Sequence, residues 1–474
     1  MDVIYQPAVN DASLFNTAGT LAEWRDQVAA LCVGNSRLLL AVSAAFAGPL
    51  LDIAGEEGGG LHFRGSSRVG KTTALRVAAS VWGGEAGAGA AGYIRQWRAT
   101  DNAMEGLALA QSDTLLPLDE LGQADARGVG DTAYLLASGQ GKARSDRAGG
   151  LRTPIRFRVL FLSTGELSLA DKIAEAGRRV KAGQEVRLVD IPADAGHGLG
   201  LFEDLHKEIF EDPHKTDAGP KAIGPEEFIL ALRAGTTRAY GTAAPAFLDH
   251  LVAEVAADAD FADDIRSWMR DLVTGWMREN PGAGGQVGSV ARRFALVAVA
   301  GELATKAGIT GWTPNDATAA AKICFQAWLA ERGTTGARED AQAVAQLRDF
   351  LTRHGDSRFH EWKEPPPGDA GQAETTPPPA TSERFRTVNR AGWKRRLSDA
   401  ERNPDAWHYY LTADGMNEAL TGLDKRQANK VLIDRGFMLK GSGNKAAGSF
   451  SPPGHAKVRL YHVLPTIFDA DDSE

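Results

Sequence analysis

The stretch Gly65-Ser66-Ser67-Arg68-Val69-Gly70-Lys71-Thr72 fits the pattern G-x-x-x-x-G-K-[ST] at every position. That pattern suits a polyphosphate. Its glycines let the backbone curl so that several N–H groups point inward. Lys71 supplies a mobile positive charge for the β- and γ-phosphates, and Thr72 offers a hydroxyl to Mg2+. Leu61-His62-Phe63 before the loop reads as a strand. Thr73 to Val81 after it reads as a helix whose positive end would face the same phosphates. Strand, loop and helix in that order commit the chain to an α/β core with the loop at the C-terminal edge of a parallel sheet. Gly65, Ser66, Ser67, Arg68, Val69, Gly70, Lys71, Thr72 and Thr73 are the expected binding residues, and ATP with Mg2+ the expected ligands. A chance glycine-rich turn in a chain with 53 glycines is the alternative. It accounts for neither Lys71-Thr72 nor the flanking strand and helix.

Asp113-Thr114-Leu115-Leu116-Pro117-Leu118-Asp119-Glu120 reads as a second buried strand ending in two acids, with Asp119 48 positions beyond Lys71. Such a strand places its acids at the sheet edge where ligands bind. Asp119 is expected to hold the metal and Glu120 to polarise an attacking water. Pro117 is awkward in a central strand because it has no N–H. Ile155 to Leu162 reads as a third strand, with Thr164 or Ser163 at its tip as the group that senses the γ-phosphate. Between these strands lies a basic glycine-rich segment in which Lys142, Arg144, Arg147 and Arg152 would track a nucleic-acid backbone. A solvated basic loop is the plainer alternative. Arg178, Arg179 and Arg187 are candidates for an arginine completing a neighbouring subunit's site. Arg292 or Arg293 is a candidate for a second phosphate sensor, or else lies on a charged helix surface.

Net charge is −8, from 53 Lys/Arg against 61 Asp/Glu, so any nucleic-acid surface must be local. Cys32 and Cys324 sit in apolar surroundings and read as structural thiols. The ten histidines lack ligand spacing, and no zinc site is expected. The start of the chain lacks a signal-peptide pattern. The apolar run from Leu38 to Ala54 is broken by Pro49 and Asp52 and is too short to span a bilayer. A cytoplasmic protein without a membrane partner is expected.

The chain divides by composition into an N-terminal helical extension (1–54), the phosphate-loop core (55–215), a helical lid (225–362), a Pro-rich linker (363–383) and a C-terminal domain (384–474). Residues 384–463 hold 15 Lys/Arg against 7 Asp/Glu. Their pattern of strand, helix, helix and a ribbon pairing 437–440 with 457–463 suggests a winged helix-turn-helix. Lys425, Arg426 and Lys430 would contact duplex DNA, with Lys457 and Arg459 on the wing. A module for protein contact is the alternative.

Several runs resemble the family catalogued as domain of unknown function 927. They are Gly65-Ser66-Ser67, Gly70 to Leu75, Ser80-Val81-Trp82-Gly83, Trp97 to Glu105, Leu118-Asp119-Glu120-Leu121, Gly139-Gln140-Gly141-Lys142, Ser163 to Glu166, Ala182 to Leu188, Arg293-Phe294 and Ala300 to Ala304. The likeness spans roughly residues 20 to 360. It implies an AAA+ core similar to superfamily 3 and MCM-type helicases of phages, plasmids and integrative elements. It further implies a homo-oligomeric ring with single-stranded DNA in its pore. Such proteins often follow a primase-type or zinc-binding part. None is read here, so priming would fall to a separate primase. A DNA-dependent loader or remodeller, and a non-enzymatic origin-binding protein switched by ATP, are the competing readings.

Overall fold

The computed structural model describes residues 14–85, 92–142, 154–206, 224–332, 338–362, 389–396, 406–452 and 455–469, apart from 179, 181, 282, 424 and 442–444. The chain forms two compact units, Met1–Thr335 and Gly336–Glu474.

The first unit is built on five parallel strands: β1 (Gly59–Arg64), β2 (Arg95–Gln96), β3 (Leu115–Asp119), β4 (Leu160–Gly165) and β5 (Leu188–Pro192), in the order β2-β3-β4-β1-β5. Their side chains alternate between two apolar layers, as the two-residue period of a strand requires. Leu61, Phe63, Leu160, Leu162, Val189 and Ile191 face one core, shared with helices Ser36–Ala47, Lys71–Ala79 and Gly285–Lys306. Leu116, Leu118, Phe161 and Leu188 face the other, shared with helices Asp101–Ala110 and Val129–Ser138. Buried side chains of this size contribute about 1.5–3 kcal/mol each. The helix Gly285–Lys306 is buried at every residue from Phe294 to Ala304, so it is surrounded rather than amphipathic.

The N-terminal helices pack on this core. Trp24 donates its indole N–H to Ser80 Oγ (2.9 Å) and Trp82 donates to the Ala45 carbonyl (2.7 Å), joining the first helices to the helix after the phosphate loop. Helices 225–332 share the core of the sheet, whereas helix Arg338–His354 and strand β6 (Phe359–Glu361) fall in the second unit. The expected 225–362 lid is therefore divided near residue 335. Strand β2 lacks apolar alternation and was not expected. β5 begins at Leu188, after a helical turn Ala182–Glu185. Pro117 is tolerated because β2 pairs only with Leu118 and Asp119, which leaves Pro117 a ladder partner on the β4 side alone.

The glycines ahead of the phosphate loop are strand residues that admit close neighbours. A Cβ at Gly60 would overlap the Phe161 ring, and one at Gly59 the Arg293 guanidinium. Gly60→Ala is expected to cost about 1–3 kcal/mol by overpacking a ring with nowhere to go. A lowered denaturant midpoint with unchanged slope would be the readout. An unchanged midpoint would contradict the packing described.

The second unit carries β6, β7 (Gly392–Arg396), β8 (Trp407–Leu411), β9 (Met438–Leu439), β10 (Gly448–Phe450) and β11 (Val458–Val463), ordered β10-β11-β8-β7-β6 with β9 also on β11. The expected ribbon is present, with Leu439 opposite His462 and Met438 opposite Val463. Helices Arg338–His354, Ala413–Ala419 and Lys425–Asp434 pack on Phe359, Tyr409, Leu411 and Val463. β6 and β7 pair in parallel across the Pro-rich segment. That segment therefore lies within the unit instead of ahead of it. Its residues 363–388 lie outside the described set.

Candidate functional site

β1 ends at Arg64, and the chain curls through Gly65–Gly70 into the helix Lys71–Ala79. Gly70 sits at φ 104°, a conformation that disfavours a side chain, and a Cβ there would also press on the Phe202 ring at 3.0 Å. Leu201 N donates to the Val69 carbonyl (2.8 Å) and braces the loop. Ser66, Ser67 and Arg68 are exposed, Gly65, Val69 and Thr72 half-buried, and Lys71 and Thr73 buried. Lys71 Nζ donates to the carbonyls of Gly65 (2.8 Å) and Ser66 (2.7 Å), so the loop is wrapped around its own lysine. Burial lowers the Lys71 pKa from its ordinary value, while Glu166, Glu120 and Asp119 pull it back up. The negative potential from these three acids keeps a cation at this spot. Glu166, at the tip of β4, has no assigned role in the sequence reading. Its proximity arises from strand order, which spacing along the chain does not reveal.

Register brings the acids to the loop. Leu118 lies opposite Ser163, which puts Asp119 beside Thr164. Thr164 Oγ1 donates to Asp119 Oδ1 (2.5 Å), and Thr72 Oγ1 lies 3.5 Å from the same oxygen. Glu120 N donates to Thr164 Oγ1 (3.3 Å). Lys71, Thr72, Asp119, Glu120 and Thr164 thus converge at one sheet edge. Glu120 has φ 58° and ψ 78°, costly for a residue with a side chain, and its carboxylate accepts from Gly122 N (3.3 Å). Thr72 and Asp119 offer hard oxygen donors, which suit a Mg2+ ion whose remaining ligands are phosphate and water.

Packing sets Ser163 apart from Thr164. Ser163 is fully buried and accepts from the Trp97 indole N–H (2.8 Å). His62 Nδ1 lies 2.8 Å from Ser163 Oγ, and His62 Nε2 lies 3.0 Å from the Leu167 carbonyl. One direction of donation satisfies every atom: Trp97 to Ser163, Ser163 to His62, and His62 Nε2–H to Leu167. A neutral imidazole completes this chain; a proton on Nδ1 would face Ser163 with two donors. Burial accordingly pushes His62 down to about 4. On the other side of His62, Asp190 is raised by burial to about 7. Its Oδ1, 4.0 Å from His62 Nε2, has no hydrogen-bond partner among the described residues. The sequence reading passed over this row. A polar residue at an inward position of an apolar strand, His62, was the available signal.

Other candidates lie apart. Arg187 stands at the start of β5, at the sheet edge away from the loop. It donates to the Gly183 carbonyl (2.7 Å) and its guanidinium lies 4.0 Å from the centre of the Tyr134 ring. Arg178 is exposed and donates to the Arg127 carbonyl (2.9 Å); Arg179 lies outside the described residues. Arg293 donates to the carbonyls of Gly60 (3.3 Å) and Val186 (2.9 Å). It is thus at the near end of β1, about 17 Å of strand from the loop. A second phosphate sensor at Arg293 within the same chain is therefore excluded, and its guanidinium is not a free surface charge. Lys142 Nζ is paired with Asp101 (2.5 Å). Gln140 and Arg156 form an isolated antiparallel bridge. Arg144, Arg147 and Arg152 lie beyond it, outside the described residues.

In the second unit, a groove of about 920 Å3 runs between helix Lys425–Asp434 and the ribbon, lined by Arg426, Asn429, Lys430, Asp434 and Lys440 among others. Arg426, Asn429, Lys430 and Ile433 share one helix face at helical spacing. Asn429 was not singled out by sequence; its buried Oδ1 has no partner among the described residues. Lys425, Lys457 and Arg459 are exposed nearby in the same unit.

The family model for domain of unknown function 927 matches residues 1–156, which takes in the phosphate loop, β3 and both acids. The match covers about a third of the chain. The match stops before β4, short of the 20–360 span over which family-like runs occur. No curated protein matches the chain. The whole chain is similar in fold to a solved structure described as SCCmec type IV Cch, an active helicase. The TM-score is 0.62 at 18% identity, covering 98% of this chain and 73% of that one. Among the described residues, no helix is long and apolar enough to cross a membrane.

Proposed function

We propose that the protein is an ATP-driven DNA helicase or translocase of a mobile element, acting as a homo-oligomeric ring. The convergence of Lys71, Thr72, Asp119, Glu120 and Thr164 on one sheet edge carries this reading. The helicase-like fold supports it. In this reading Gly65–Thr73 hold the phosphates of ATP. Thr72 and Asp119 hold Mg2+, which when bound neutralises charge on the phosphate oxygens. Glu120 orients and polarises the attacking water, which requires its carboxylate to leave Gly122. Thr164 senses the γ-phosphate through its bond to Asp119. Arg187 cannot reach its own loop from the far edge of the sheet, so the nucleotide it serves is a neighbour's. Single-stranded DNA is contacted by the basic segment beyond Lys142. The second unit acts as a winged helix-turn-helix whose basic groove takes duplex DNA.

Strand displacement with Lys71→Ala as control tests the reading. Unwinding that needs ATP and is lost in the control is expected. DNA-stimulated hydrolysis without unwinding would replace the helicase with a loader. The turned-back Glu120 favours one further alternative, an ATP-switched origin-binding protein. Binding of DNA without measurable hydrolysis would select it.

Thr164→Val keeps the side chain's shape and removes its hydroxyl. It is expected to slow hydrolysis about ten- to hundredfold, the range for a lost hydrogen bond to a charged group. An unchanged rate would remove Thr164 from the site.

A further inference from the structure

The edge of the parallel sheet away from the phosphate loop carries a polar cavity of about 320 Å3. Its walls include Glu56 and Glu57 ahead of β1, Arg187 ahead of β5, and Ser289, Arg292 and Arg293 on helix Gly285–Lys306. The three guanidinium groups are poorly neutralised. Among the described residues Arg293 is bonded only to the carbonyls of Gly60 and Val186. Arg187 has the Gly183 carbonyl and the Tyr134 ring. Among the described residues no carboxylate comes within 4.0 Å of either. Arg292 reaches Glu56 at 3.9 Å, a long pair. Burial raises Glu56 while Arg292 and Arg293 pull it back down, and Glu57 is a second acid on the wall. Burial and the nearby Arg187 lower Arg293 to about 10. A cation out of water and away from a carboxylate is costly unless something else compensates it. The backbone is cleared for this one, since a Cβ at Gly59 would overlap its guanidinium.

We infer that this cavity is a phosphoanion site, separate from the phosphate loop, in which Arg187, Arg292 and Arg293 hold a group the size of phosphate or diphosphate. Guanidinium forks match phosphoryl oxygens in geometry as well as charge. Among the described residues no aromatic side chain lines the cavity to take a base, so the recognised part of the ligand is the phosphate alone. The site stands whether or not the phosphate loop binds nucleotide.

The full-length chain carrying Lys71→Ala, titrated calorimetrically with inorganic pyrophosphate at constant ionic strength, tests this. One binding event is expected to survive. Adding Arg292→Ala, an exposed position, or Arg187→Ala should weaken it at least about tenfold. Arg293→Lys, which keeps the charge and loses the fork, should weaken it as well. A second arm asks where the phosphate comes from. Lys71→Ala protein, with its cavity intact, is mixed with Arg187→Ala/Arg292→Ala protein, with its loop intact. ATP hydrolysis restored by mixing would identify the ligand as nucleotide held by a second copy. Pyrophosphate binding without restoration would identify a free anion. No pyrophosphate binding in the Lys71→Ala chain together with no restoration on mixing would overturn the inference, as would pyrophosphate binding indifferent to all three arginines.

Discussion

Glu120→Gln is expected to leave ATP bound and to lower its hydrolysis about 10^2- to 10^4-fold, the range for losing a positioned general base. The substitution is mild in every other respect. Glutamine can still accept from Gly122 N, the backbone N–H to Thr164 is untouched, and the left-handed φ is a property of the main chain. Lys71→Ala should behave differently and lose binding as well, because the charge that meets the phosphates is gone. Equilibrium binding of a fluorescent ATP analogue, set beside steady-state phosphate release, separates the two. Hydrolysis near the wild-type rate in Glu120→Gln would show that another group activates the water.

The second large effect concerns pH. His62 has a folded pKa of about 4 against an ordinary 6.5, so between those values only the unfolded chain takes the proton. Its contribution to stability is present above about pH 6.5 and is lost as the pH falls to about 4, by up to roughly 3 kcal/mol. Asp190 runs the other way. Its folded pKa is raised to about 7 from 3.8, so its contribution is lost as the pH rises through that window. In the wild type the two slopes oppose each other. Asp190→Asn should expose the His62 slope, with stability falling from pH 6.5 to 4. His62→Gln should expose the Asp190 slope, with stability falling as the pH rises toward 7. Denaturant titrations of both variants across pH 4–7 measure this. Parallel profiles would mean that burial does not shift the two groups in opposite directions.

The phosphate loop and the β3 acids were legible because their chemistry is local. Gly65 to Thr72 form one contiguous pattern, and Asp119-Glu120 must follow an apolar strand to emerge at its end. The basic helix Lys425–Asp434 was legible for the same reason, since its charges lie within one element. The lid boundary was not, because 225–332 and 338–354 are equally helical and differ only in which core they enter. The Pro-rich segment reads as a linker by composition. Its place inside a unit follows from the pairing of β6 with β7, on which composition is silent.

By itself the sequence determined a phosphate-loop α/β core, its loop and acids, and a basic C-terminal region. Those depend on runs of neighbouring residues. Tertiary structure alone decided which hydroxyl meets Asp119, that His62 and Asp190 form a row with Ser163, and that Arg187, Arg292 and Arg293 surround one cavity far from the loop. Each of those depends on strand order and register, and these are set by how two apolar layers close on the sheet rather than by any short stretch of chain.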